Sequence, residues 1–283
     1  MTEHRVRPRV LVFDSGVGGL SVAGSIHKAL PGAELVYVAD NAGLPYGDKT
    51  EQVVVERCCW LIRESLGRRP CDVVVVACNT ASTVVLPALR AVSDIPVVGV
   101  VPAIKPAAAC SGNRRMGVLA TPATVKRAYL DDLIRTFAAD CEVVRLGHPD
   151  LVRWAEDLVA GRAPDQARVN LALAPLRDAG VDTVVLGCTH YPLLVPWLRK
   201  ALPEVVNWVE SGDAIARRVA YWLEQSGQLA EGQALPPKTE AVVINACFTG
   251  DAPSDLVPFM SAMGIPVGDI AGHWPGTTAA GSV

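Results

Sequence analysis

The chain has 283 residues, half of them hydrophobic, with 26 Lys+Arg against 29 Asp+Glu for a net charge of −3. That composition excludes disorder, and charge so near balance leaves no electrostatic footprint for nucleic acid or an anionic membrane, since the one basic cluster is a short N-terminal arm (His4, Arg5, Arg7, Arg9). At a prior of one domain per ~150 residues the length suits one large domain or, more comfortably, two, and a small or neutral ligand is the expected partner.

Taken in chain order, the first apolar run, 10–13, reads as a strand and leads into Asp14-Ser15-Gly16-Val17-Gly18-Gly19-Leu20 and a helix. A G-x-G-x-x-G frame from Gly16 fails because position 21 is Ser, and the loop has no P-loop lysine. Two readings stay open. Asp14 and Ser15 sit at a strand end to meet a polar substrate or a catalytic partner, beside turn N–H groups that can hold an anion, or Asp14 caps the helix beside a tight glycine turn. A second strand, 35–39, leads through Asp40 into Asn41-Ala42-Gly43-Leu44-Pro45-Tyr46-Gly47-Asp48-Lys49. This is either an ordinary Pro/Gly turn or one whose N–H groups, beside the Tyr46 hydroxyl, receive a carboxylate.

The third strand, 72–77, ends in Cys78-Asn79-Thr80-Ala81-Ser82, and further strands fall at 97–101 and 116–120, the latter running into Thr121-Pro122-Ala123-Thr124. After a strand at 141–146, the helical stretch 150–159 carries Glu156, which alone reads as a solvated carboxylate. The strand at 183–186 ends in Gly187-Cys188-Thr189-His190-Tyr191-Pro192, and strands at 205–209 and 242–246 complete the pattern.

Strands alternating with helical stretches predict an α/β fold, and their near-continuous apolar runs suit parallel sheets covered on both faces. The segments around Cys78 and Cys188, 110 positions apart, are variations on one theme, and so are those after Phe13 and Leu119. The expectation is therefore two pseudo-symmetric doubly wound domains with the site in the cleft between them. One domain comprises 1–101 plus 211–283 and carries Asp14 and Cys78. The other comprises 102–210 and carries Glu156, Cys188 and His190. The chain would cross between them at Val101-Pro102 and Ser211-Gly212.

Eight cysteines (58, 59, 71, 78, 110, 141, 188, 247) form no C-x-x-C pair, so reduced thiols are expected. A lone cysteine is usually a small core residue, but two at equivalent strand ends can face each other across a cleft. One thiolate and one thiol on opposite faces of a carbon form a two-base device that inverts a stereocentre. His190 would assist Cys188, and Asp14 would assist Cys78. Zinc on Cys78, Cys188 and His190 is the weaker reading, because close ligand pairs and a fourth ligand are not evident. The longest uncharged stretch, 73–89, is broken by Asn79, Thr80, Ser82 and Thr83 and falls short of the roughly 20 apolar residues a membrane helix needs. With no signal-peptide pattern at the N-terminus, a cytoplasmic protein is expected.

Together these motifs, with Ser211-Gly212 followed by Ala214-Ile215-Ala216, resemble the glutamate racemases of the aspartate/glutamate racemase superfamily over nearly the whole chain. The resemblance implies a cofactor-independent isomerase that interconverts L- and D-glutamate and supplies D-glutamate for bacterial peptidoglycan. It implies that Cys78 takes the α-proton of D-glutamate and Cys188 that of L-glutamate, with Asp14, His190 and Glu156 assisting. The implied substrate contacts are Asp14, Ser15, Tyr46, Gly47, Asn79, Thr80, Thr189 and His190, with Thr121 and Thr124 as further candidates. Many relatives carry Gly where this chain has Ala123, and Pro122 lacks an N–H, so contacts in that motif fall to the two threonine hydroxyls. No metal, membrane or nucleic-acid partner is expected. The oligomeric state stays open, a homodimer being one option.

Overall fold

The computed structural model describes residues 7–230, 236–237 and 240–276; His4 and Arg5 of the basic arm lie outside them. The described strands, in chain order, are β1 (Arg9–Asp14), β2 (Glu34–Ala39), β3 (Val73–Val76), β4 (Val97–Gly99), β5 (Arg115–Ala120), β6 (Glu142–Gly147), β7 (Thr183–Leu186), β8 (Asn207–Val209), β9 (Val243–Phe248) and β10 (Val267–Ala271). They form two parallel sheets, one of six strands in the order β10-β9-β2-β1-β3-β4 and one of four in the order β6-β5-β7-β8.

The four-strand order of the second sheet repeats β2-β1-β3-β4 of the first, so β1 corresponds to β5 and β3 to β7. Register sharpens the match. Phe13 pairs with Val76 and Leu119 with Leu186. Two residues past those pairs come Ser15 and Cys78 in one half, and Thr121 and Cys188 in the other. The expected pseudo-symmetric α/β architecture is what the chain adopts.

Strand alternation sends side chains to two faces, and each face is buried. In the first sheet Val10, Val12, Val73 and Val75 join one core cluster, whereas Leu11, Phe13, Val74 and Val76 join the other. Helices Gly19–Ala29 and Gly212–Gln225 pack together on the first face. Helices Glu51–Arg68 and Asn79–Val92 pack together on the second.

All nine expected strands are present, with ends shifted by a residue or two. The tenth was not anticipated. Among the described residues, strand β10 pairs only with β9 at the sheet edge, and its Gly268, Asp269 and Ile270 are exposed, so it lacks the apolar run of a strand covered on both sides. Chain passage to the second sheet follows β4, where helix Ile104–Cys110 packs on β7 and β8; the return follows β8. The two passages lie side by side, Ser211 Oγ donating to the Val101 carbonyl at 2.6 Å. No helix among the described residues is long and apolar enough to cross a membrane.

Candidate active site

A cavity of about 450 Å³ lies between the C-terminal ends of the two sheets, where ligands of open α/β folds bind. Ser15, Cys78, Asn79 and Thr80 reach it from the first half, and Thr121, Cys188, Thr189 and His190 from the second. Tyr46 and Gly47 form part of its lip. Three other candidates, Asp14, Thr124 and Glu156, stand behind this wall and act on residues in it.

Cys78, 6 % exposed, precedes the first turn of helix Asn79–Val92. Ser15 Oγ lies 3.5 Å from its sulfur. Burial, then the nearby Asp14 charge, push the Cys78 thiol up to about 12 against the pull of the Ala81 N–H and Ser15. Cys188, 7 % exposed, has a different partner: its sulfur is 3.6 Å from His190 Nδ1, and His190 Nε2 is 2.7 Å from Glu156 Oε1. Burial opposes the charged imidazole, but hydrogen bonds to Cys188 and Glu156 outweigh it and hold His190 well above its ordinary value.

The glycine-rich turn departs from the capping reading. The residue before helix Gly19–Ala29 is Gly18, so Asp14 does not cap it. Asp14 is fully buried; its Oδ1 accepts the Gly16 N–H at 3.0 Å and its Oδ2 accepts the Thr189 hydroxyl at 3.0 Å. Burial raises its carboxyl to about 6 against the pull of His190. Asp14 acts on Cys78 through its charge, while the hydrogen bond to that thiol comes from Ser15. The turn does hold an anion, but one of the protein's own: the Val17 N–H donates to Glu156 Oε1 at 2.8 Å. Glycine is required here because a Cβ at Gly16 would collide with Glu156, and one at Gly18 with Thr189 and His190.

Glu156 is therefore no solvated helix carboxylate; it bridges His190 to the opposite half of the molecule. The Tyr46 hydroxyl, expected beside a carboxylate-receiving turn, is engaged elsewhere. It donates to Asp40 Oδ2 at 2.7 Å and faces the Cys58 thiol at 3.6 Å, away from the cavity, so the tyrosine offers its body to the lip. Thr121 and Thr124 hydroxyls lie 2.9 Å apart, Thr121 also accepting the Thr124 N–H at 3.2 Å; only Thr121 lines the cavity. Two charged lining residues, Asp48 and Lys126, were not singled out from sequence. Both lie within or beside motifs that were, and that adjacency was the available signal.

Residues 18–219 match the Asp/Glu/Hydantoin racemase family model. A glutamate racemase of Shewanella loihica is 50% identical over 228 residues, 80% of this chain and 86% of the relative. A crystal structure of Escherichia coli glutamate racemase, in complex with L-glutamate and the activator UDP-MurNAc-Ala, is 44% identical. It covers 94% of this chain and 98% of that one with a TM-score of 0.83. The Bacillus anthracis isoform RacE1 is 31% identical, covering 96% and 99%, with a TM-score of 0.77.

Proposed function

The chain belongs to the Asp/Glu/hydantoin racemase family and is an amino-acid racemase, and from that premise we propose that it interconverts L- and D-glutamate, without a cofactor, by passing the α-proton between Cys78 and Cys188. One observation supports this reading above the others. Two thiols, each two residues past the end of an equivalent strand, open onto one cavity from opposite halves, each with its own hydrogen-bonding partner. The L-glutamate complex of the E. coli relative supports the choice of substrate.

In the L-to-D direction the Cys188 thiolate takes the α-proton, and the Cys78 thiol delivers its own to the opposite face. Cys188 is left protonated and Cys78 as thiolate; the reverse reaction starts from that state. A cation beside a sulfur favours its anionic form, which is the service of His190 to Cys188, with Glu156 fixing the ring. Ser15 and the N-terminus of helix Asn79–Val92 serve Cys78. Without an electron sink such as pyridoxal phosphate, the charge that develops on the α-carboxylate must be met by fixed donors in a cleft shut off from water. Asn79, Thr80 and Thr189 are of the right type for that task. The side-chain carboxylate would lie toward the lip of Tyr46 and Gly47 and the Thr121 hydroxyl. The product would supply D-glutamate for peptidoglycan in the cytoplasm.

Purified protein under reducing conditions, with no added cofactor, is expected to racemise each enantiomer of glutamate in D₂O and to place deuterium at the α-position. Failure of both reactions overturns the reading. Faster exchange of aspartate than of glutamate would keep the mechanism and change the substrate.

A further inference from the structure

The lip of the cavity runs from Leu44 through the short turn Tyr46–Asp48, and a second short turn, Asn41–Gly43, leads directly into it. Each turn is three residues long, and such turns do not hold a position by their own hydrogen bonds. Their placement matters, because a Cβ on Gly47 would lie 3.1 Å from the Ala123 Cβ across the cleft. A shift of a few tenths of an ångström therefore changes the gap through which the two halves meet around a bound molecule.

What places the lip comes from more than two hundred residues downstream. Thr249 directly follows β9. Its hydroxyl donates to Asp40 Oδ1 at 2.7 Å and accepts the Ala42 N–H at 3.0 Å. Asp40 is fully buried and gathers the other supports: Tyr46 Oη donates to its Oδ2 at 2.7 Å, and Arg57 grips both oxygens at 2.7 and 2.6 Å. Beside this knot the Gly250 N–H donates to Asn41 Oδ1, and Asn41 Nδ2 donates to the Asp251 carbonyl, each at 2.7 Å. Thr249 bonds both to the turn that leads into the lip, through Ala42, and to the carboxylate that holds the lip's Tyr46, through Asp40.

We infer that Thr249 is a positioning residue for substrate binding, tethering the Tyr46–Gly47 lip to the end of β9 through Asp40 and Ala42. It lies beyond the stretch that matches the family model. The inference rests on the reading that this cavity takes glutamate. A displaced lip weakens the hold on the substrate's side chain, which both enantiomers present alike, and leaves the thiols where they are. The effect therefore falls on KM in both directions.

Thr249→Val keeps the side-chain shape and removes both hydrogen bonds, whereas Thr249→Ser keeps the hydroxyl. Kinetics of the full chain toward both enantiomers, with hydrogen–deuterium exchange of amides 42–48, test the tether. The Val variant is expected to raise KM about 10-fold in each direction with kcat within about 3-fold, the loss of roughly one or two hydrogen bonds' worth of placement. Its amides at 42–48 should exchange faster, and the Ser variant should stay near the parent on both measures. Unchanged KM, a loss confined to kcat, unchanged exchange, or a Ser variant as impaired as Val would each overturn the tether, and a merely structural Thr249 would lower the melting temperature with KM unmoved. Should the parent fail to racemise glutamate, the functional reading falls, while the exchange measurement still decides whether Thr249 holds the lip.

Discussion

The two halves of the cavity share a strand framework but not a chemistry. On the Cys78 side the sulfur meets a hydroxyl and a helix N-terminus, with the buried Asp14 charge nearby. On the Cys188 side it meets an imidazole backed by a carboxylate that is itself held by the Val17 N–H of the first half. Duplication therefore supplied two equivalent places for a thiol, and the side chains around them were then set apart. At about 12, the Cys78 anion is about 4 kcal/mol less accessible than that of a thiol at the ordinary value of 9.0. That keeps the proton on Cys78, while the other sulfur has His190, held well above its ordinary value, beside it.

Removing either sulfur is the severest way to break this comparison. Cys78→Ala and Cys188→Ala should each lower racemisation about 10³-fold or more, the upper part of the range for a positioned acid or base, as read by loss of optical rotation or a coupled assay. A variant with near-parental turnover would show that one thiol suffices.

Alkylation reads the contrast directly. With iodoacetamide at pH 7–8 and no substrate, peptide mapping should find Cys188 modified at least about tenfold faster than Cys78, because only the thiolate reacts. The rate at Cys78 should climb about tenfold per pH unit through the alkaline range toward its pKa of about 12. His190→Asn should erase the preference, and equal rates in the parent would remove the proposed asymmetry.

The subtlest test separates the two directions of the reaction. Enantiomers have equal free energies, so kcat/KM must fall equally for L- and D-glutamate in every variant, and its size cannot say which thiol has been weakened. Primary isotope effects can. With α-deuterated substrates, His190→Asn should raise the effect for L-glutamate and lower that for D-glutamate, while Ser15→Ala should do the reverse. Equal rises for both enantiomers in both variants would mean that neither residue belongs to one thiol.

Local chemistry was legible in the sequence wherever the informative residues were neighbours. Cys78 with Asn79 and Thr80, and Cys188 with Thr189 and His190, could be read as strand ends because the apolar run before them and the polar residues after them are contiguous. Partnerships across the cleft were not legible. Glu156 looks like one carboxylate of a solvated helix until the fold brings it to Val17, 139 positions away. The Tyr46 hydroxyl could not be known to turn inward without Asp40 being seen to collect it. Strand β10 escaped because an edge strand needs no double-sided apolar run, and Thr249 because a threonine after a strand carries no signal of what its hydroxyl will reach.

The side-by-side chain passages at Val101 and Ser211, tied by the Ser211–Val101 hydrogen bond, have a mechanical meaning. Two connections set far apart would resist opening, and one alone would let the halves swivel in any direction. A paired strap permits rotation about one line and suppresses twist, as the spine of a book does. On the proposed reaction, opening to admit a substrate would then turn the halves about that line, and the spacing of the two sulfurs would follow the opening. On that reading, a molecule that lets the covers shut would bring both sulfurs to its α-carbon in the same movement, whichever enantiomer it is.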